Sequence, residues 1–489
     1  MPPLCRCLMR FLFFFIAAAC LLSADSGYVP ELTRTSHIYN GEGRSLHYTA
    51  ITGELPIADK EGILLAQLFF IAYVAEDDPD RPITFVFPGG PGGSSEAEVM
   101  CTIGPRRLIT PQEGKPLLPP YKIIDNPESL LPWTDLVFID PVTTGYSKFA
   151  QDLEEEDKDQ FFTLEGDIAS LGDFIQTFIS YFQKWNCPKY LAGISYGTLR
   201  CCGVAEYLGS YGFGLNGIVI LGSALDYSTL EGQRNLPLPD ALLIPTFAAT
   251  AWYHGRFWPE ATIEQVVDYA RRFAYDEYTP FMLQPTRLSP LEQNAFYAKL
   301  SELTGLKEKT VRRYLGRFDE ELYTTEFMAE ERKVIGGLDT RYIGDISTIQ
   351  RCLIDEDPSY KDMIGIPCAF NAYLQEELET NRPFEKYATF MARHYWNFCT
   401  SDSICLPDIL QRLRRTLVWN PAMKVFSGSG YFDCRTPFAA TEFCFDHLDL
   451  PSTYRQNFDF EYYEAGHGFV FHLPSLQKLK KDLVKFYER

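Results

Sequence analysis

Tyr190-Leu191-Ala192-Gly193-Ile194-Ser195-Tyr196-Gly197-Thr198 is the stretch on which the reading of this chain turns. Tyr190 to Ala192 is apolar and of strand length, Thr198 to Leu208 carries helical periodicity, and glycines flank the serine between them. Gly-x-Ser-x-Gly at a strand-to-helix junction places serine on a sharp turn, where small neighbours leave its hydroxyl exposed. The pattern is short enough to arise by chance, so its setting carries the inference.

That setting is a series of buried strands. Ile83 to Phe87, Leu136 to Ile139 and Ile218 to Leu221 are further apolar runs, each ending in glycine, proline or aspartate. Helix candidates at Leu164 to Trp185 and Thr198 to Leu208 alternate with them. Such alternation predicts an α/β fold with a mostly parallel central sheet covered on both faces, where reactive groups gather at the carboxyl ends of the strands. Shorter runs at Arg44 to Ala50 and Leu64 to Val74 predict antiparallel strands opening the sheet.

After Asp226 strand signals stop, and helical periodicity takes over in Thr262 to Tyr275, Pro290 to Leu303, Glu308 to Arg317 and Phe384 to Trp396. The expected organisation is a core over residues 25–226, an inserted helical cap over 227–415 and a second part of the core over 416–489. Strand candidates Lys424 to Phe426 and Phe458 to Tyr463 and a closing helix Leu476 to Tyr487 belong to this last part.

Arg6 and Arg10, the apolar run Phe11 to Leu22 and the polar residues after it read as a signal peptide over residues 1–24. The run is too short to span a bilayer. A secreted or periplasmic protein follows, with lipidation at Cys20 as the one route to membrane attachment. Removing Cys5, Cys7 and Cys20 from the 13 cysteines leaves an even set, among which Cys399 with Cys405 and Cys434 with Cys444 are spaced for small disulfide loops. Lysine and arginine number 45 against 65 acidic residues, a formal charge of −20 that makes nucleic acid a poor partner.

A serine nucleophile needs a base, an orienting carboxylate and donors for the oxyanion. Among seven histidines, His467 in Ala465-Gly466-His467-Gly468 follows a late strand, with His472 as its competitor. Asp433, beyond the strand through Phe426, lies between serine and histidine in chain order, with Asp446 as the competitor. The glycine loop Pro88-Gly89-Gly90-Pro91-Gly92-Gly93 offers unobstructed amides, and Gly90 with Tyr196 would form the oxyanion hole. Neither the Walker lysine nor the dinucleotide glycine spacing is present, so a phosphate cradle is the weaker reading of this loop. The chemistry requires neither metal nor cofactor.

Gly89 to Ser95 (GGPGGSS), Asp140 to Ser147 (DPVTTGYS), Gly193 to Thr198 (GISYGT), Ala248 to Gly255 (AATAWYHG), Ser429 to Pro437 and Tyr463 to Gly468 (YEAGHG) together resemble the serine carboxypeptidase family, particularly its bacterial-type members. The resemblance implies the α/β-hydrolase fold, Ser195 as nucleophile with Asp433 and His467, and the Gly90 and Tyr196 amides as oxyanion hole. It also exposes a departure around Gly89. Where the family binds the substrate's terminal carboxylate with an asparagine and two glutamates, this chain has Pro88, Ile194 and Thr102. Proline and isoleucine have no side-chain donor to offer. Arg106 and Arg107 are the alternative cationic groups.

The expectation is a serine hydrolase that removes C-terminal residues of peptides with altered carboxylate recognition and a pH dependence governed by His467. An esterase, acyltransferase or aminopeptidase using the same triad is the rival, and a catalytically silent relative that binds a peptide or partner is the reading from another class.

Overall fold

The computed structural model describes residues 29–41, 43–110, 117–231, 236–345, 357–391, 396–398 and 406–489. The leader, Cys20, Cys399 and Cys405 lie outside them. Ile83–Phe87, Asp135–Ile139 and Gly217–Leu221 are buried at every position. A strand buried on both faces needs an apolar layer on each side, and its alternating side chains supply two cores at once. Phe85, Phe87, Val137 and Ile139 enter one core with the helices Leu164–Tyr181, Tyr196–Ser210 and Leu410–Trp419. Val86, Leu136 and Phe138 point the other way, against Ile366–Glu376 and Leu473–Tyr487.

The main sheet has ten strands. In spatial order it runs Leu32–Gly41, Arg44–Ala58, Leu64–Ala75, Asp135–Ile139, Ile83–Phe87, Lys189–Ile194, Gly217–Leu221, Lys424–Gly430 and Phe458–Tyr463, with Lys148–Phe149 paired to Leu64–Ala75 off this path. The opening strands pair antiparallel, and every neighbour pair from Asp135–Ile139 onward is parallel. This is the α/β-hydrolase fold. The parallel strands therefore share one carboxyl edge, where the glycine loop, Ser195, Asp433 and His467 all emerge.

Between Leu221 and Lys424 the chain makes a helical insert with its own apolar cluster, in which Phe247 stacks on Tyr323 at 3.7 Å between ring centroids. Reciprocal capping boxes at Thr262 with Gln265 and at Ser289 with Glu292 start the helices Ile263–Phe273 and Pro290–Thr304. Two sequence expectations fail here. Strand structure does not stop, because Lys333–Ile335 pairs with Ile343–Asp345. Residues 384–391 of the predicted Phe384 to Trp396 helix are not helical, because Ala388 and Phe390 bridge to Gly145 and Gly93 instead. The helix Leu238–Tyr253 begins directly after Pro237 and holds Pro239 and Pro245 within it.

Cys434 and Cys444, spaced for a disulfide, are both free and buried. They belong to different apolar clusters, Cys434 with the insert and Cys444 with the sheet core. Cys201 and Cys202 are free, buried packing residues. Among the described residues no helix is long and apolar enough to cross a membrane.

Candidate active site

The strand Lys189–Ile194 ends at Ser195, whose backbone turns to φ 56° and ψ −124° before the helix Tyr196–Ser210 begins. A positive φ on a residue with a Cβ is strained, and persists only where its surroundings enforce it. The flanking glycines show how. A Cβ at Gly193 would meet the Gly197 carbonyl oxygen at 2.1 Å, and one at Gly197 would meet that of Phe87 at 2.5 Å. Strand, helix and glycine loop are packed too closely for any other residue. The Ser195 amide is fixed by the Leu221 carbonyl at 2.9 Å.

Asp433 is fully buried beyond the strand Lys424–Gly430. One of its oxygens, Oδ1, accepts from the amides of Arg435 at 2.8 Å and Thr436 at 2.9 Å. The other, Oδ2, accepts from the Thr436 hydroxyl at 2.6 Å and contacts His467 Nδ1 at 2.8 Å. Burial alone would raise this carboxyl, but His467 and the donors around it hold it below its usual value. His467 comes from the loop after Phe458–Tyr463. A Cβ at Gly222, the residue after the backbone partner of Ser195, would be 3.4 Å from His467 Nδ1. The structure thus joins acid to base directly, and Ser195 lines one cavity with Thr436, the residue that bonds both of them; among the described residues it forms no hydrogen bond from Ser195 Oγ to His467.

A cavity of about 650 Å³ opens on Ser195, Gly90 and Pro91 and runs to Thr436 and into the insert. Tyr196 places its amide at the helix start while its ring is fully buried, 5.0 Å below the Arg200 guanidinium. The positions that depart from the family pattern do not line this cavity. Ile194 and Thr102 border a void of about 20 Å³ behind the sheet edge, and Thr102 gives its hydroxyl to the Glu98 carbonyl. Pro88 and Gly89 contribute carbonyls to Arg200 instead. Arg106 is no free clamp, since its guanidinium is held by Glu377 at 2.7 and 2.8 Å and by Asp125 at 2.6 Å. Neither Arg106 nor Arg107 lines the cavity. The competitors lie apart from the triad contacts: His472 Nδ1 pairs with Ser475 Oγ, and Asp446 with Arg455.

Sequence reasoning missed Arg200, a fully buried cation on the nucleophile helix that grips Asp167 at 2.7 and 3.2 Å and the Pro88 carbonyl at 2.7 Å. Its signal was present, as an arginine among apolar helix residues with no room for solvent. Beneath the glycine loop, Asp140 accepts from the Ser95 amide at 2.8 Å and the Tyr387 hydroxyl at 3.0 Å. Among the described residues no group of three or more His, Cys, Asp or Glu side chains is placed to hold a metal ion.

A family model described as serine carboxypeptidase matches residues 47–203, the segment that holds the glycine loop and the Ser195 elbow. Over those residues, about a third of the chain, the sequence is similar to that family. The fold has a counterpart among solved structures. Kex1ΔP, a prohormone-processing carboxypeptidase from Saccharomyces cerevisiae, matches at TM-score 0.52 and 17% identity, over 90% of this chain and 91% of that one. Homoserine O-acetyltransferase from Staphylococcus aureus matches at TM-score 0.35 and 12% identity, over 89% of this chain and 95% of that one. No curated protein sequence matches significantly. The match over residues 47–203 and the fold support a hydrolase.

Proposed function

We propose that this protein is a serine-type hydrolase that cleaves acyl bonds of peptides at their C-terminal end through Ser195, His467 and Asp433, with altered recognition of the substrate carboxylate. The observation that carries the reading is the 2.8 Å contact between His467 Nδ1 and buried Asp433, at the same sheet edge as a serine held at positive φ. Asp433 fixes the imidazole so that Nε2 is the basic atom. As Ser195 Oγ attacks the carbonyl carbon, Nε2 takes its proton, and the Gly90 and Tyr196 amides receive the charge that develops on oxygen. Collapse of the tetrahedral intermediate returns that proton to the leaving group and leaves an acyl-enzyme. Water, activated by the same imidazole, then releases the acid. Residues 227–415 act as the cap that walls the cavity, and the mature protein starts after the leader and is exported.

The lining of the cavity favours a second substrate class for the same triad. Glu231, Asp240, Asp319, Glu320, Glu321 and Asp357 face it, while Arg435 is bound to Glu320 at 2.8 Å. Such a wall repels a free carboxylate, which favours neutral or cationic acyl substrates. Labelling with a fluorophosphonate probe, lost in Ser195→Ala, tests the nucleophile. Digestion of a peptide library read by mass spectrometry, with neutral esters in parallel, tests the substrate. Residues lost from the carboxyl end support the carboxypeptidase reading, whereas ester turnover without any peptide trimming would replace it.

A further inference from the structure

We infer that Asp339, gripped by Arg341, is a positioning residue that sets the contact between His467 and Asp433 from outside the sheet. The inference rests on the proposed triad and adds to it a residue from the insert. The segment Gly337 to Arg341, in the connection between Lys333–Ile335 and Ile343–Asp345, lies against both loops that carry the acid and the base.

Its bonds go to each in turn. On the acid side, the Cys434 amide donates to the Gly337 carbonyl at 3.1 Å and the Thr340 amide donates to the Phe432 carbonyl at 3.1 Å, so Asp433 is bracketed by two residues tied to this strap. On the base side, the His467 amide donates to the Leu338 carbonyl and the Gly466 amide donates to Asp339 Oδ2 at 2.8 Å. Asp339 thus bonds the backbone of the histidine loop through its side chain. It is itself buried and held in place, with Arg341 donating to Oδ2 at 2.7 Å and to Oδ1 at 2.9 Å. A further Arg341 nitrogen donates to the Glu464 carbonyl at 2.7 Å, tying the start of the same loop.

The fit is close. A Cβ at Gly466 would meet the Leu338 carbonyl oxygen at 2.2 Å and Asp339 Cα at 2.5 Å. The strap's own amides at Gly337 and Leu338 are anchored by Asp357 Oδ2 at 2.7 and 3.0 Å. On its other side Val334, Ile335 and Gly337 line the substrate cavity. One short segment therefore faces substrate on one side and fixes the relative position of acid and base on the other. A contact as short as that between imidazole and carboxylate tolerates little displacement of either loop.

The test compares native protein with Asp339→Ala, Asp339→Asn and Arg341→Gln, using active-site titration to count competent molecules and thermal melting to check folding. Asp339→Ala is expected to lower kcat per titrated site about ten- to a hundredfold, with KM changed less than about twofold and the pH profile of kcat displaced. Asp339→Asn, which keeps an oxygen for the Gly466 amide, is expected to recover most of that loss. Arg341→Gln is expected to act in the same direction but more weakly, and serves if the alanine variant does not fold. The low-field proton resonance of His467 Nδ1–H reports the imidazole–carboxylate contact independently of turnover, and is expected to shift or vanish in Asp339→Ala. An unchanged resonance and unchanged kcat per titrated site, with only melting lowered, would overturn the assignment. Loss of the resonance on Asp339→Ala, where the native protein shows it but resists fluorophosphonate, would instead count against the nucleophile and leave the role of Asp339 standing.

Discussion

Arg200 donates to the carbonyl of Pro88 at 2.7 Å from a guanidinium with no solvent exposure, tying the nucleophile helix to the glycine loop. Its partner Asp167, on the helix Leu164–Tyr181, completes a buried ion pair. Removing one member leaves the other charge buried and unpaired, which costs far more than the pair is worth. Arg200→Met should therefore destabilise the protein by about 3–5 kcal/mol. Chemical denaturation measures this, and a change within experimental scatter would show that the pair bears little weight.

Asp433→Asn keeps the shape of the acid but not its charge. The imidazole would then be free to present the wrong tautomer, and kcat should fall about ten-thousand-fold. Active-site titration and steady-state kinetics check it. A loss of tenfold or less would mean that Thr436 and the strap orient His467 without the carboxylate.

Burial pushes Glu96 up to about 8, Glu98 to about 7 and Asp140 to about 6, all beneath the glycine loop. A carboxyl with a raised value in the folded chain holds its proton where the unfolded chain has already released it. Stability therefore falls as pH rises from the ordinary carboxyl range through these raised values. Asp433 has the opposite sign: its contribution is present above the usual carboxyl value and is lost as pH falls through its depressed one. The melting temperature should drop by several degrees between about pH 5 and about pH 8. Glu96→Gln should flatten this slope, and a melting temperature that climbs over the same range would refute the account.

The acidic cavity wall makes a prediction about substrate charge. Among matched esters, one bearing a quaternary ammonium near the scissile bond should exceed its carboxylate counterpart in kcat/KM by about tenfold or more at low salt. Added salt should narrow the ratio, because exposed charges are screened over roughly a Debye length of 10 Å at 0.1 M. Equal rates at low salt would remove charge as a basis for selection.

Much of this site was legible before folding because its signals are local. Gly193 and Gly197 around Ser195 answer a steric demand that arises within a single turn, and the runs Ile83 to Phe87 and Ile218 to Leu221 announce strands buried on both faces. The insert was read less well. Phe384 to Met391 has spacing suited to a helix, but its backbone pairs with Gly93 and Gly145, and that pairing overrides local periodicity. Cys434 and Cys444 are near in sequence and packed into separate cores.

Residue spacing alone established the strand–turn–helix around Ser195, the parallel sheet and the order of serine, aspartate and histidine along the chain. It carried no sign that Asp339 reaches the histidine loop, that Arg200 reaches Pro88 or that carboxylates from the insert wall the cavity. The reason is one of range. Backbone sterics and side-chain alternation act over a few residues and leave their mark in the local pattern, whereas a contact between position 339 and position 466 depends on where two separately folded segments come to rest.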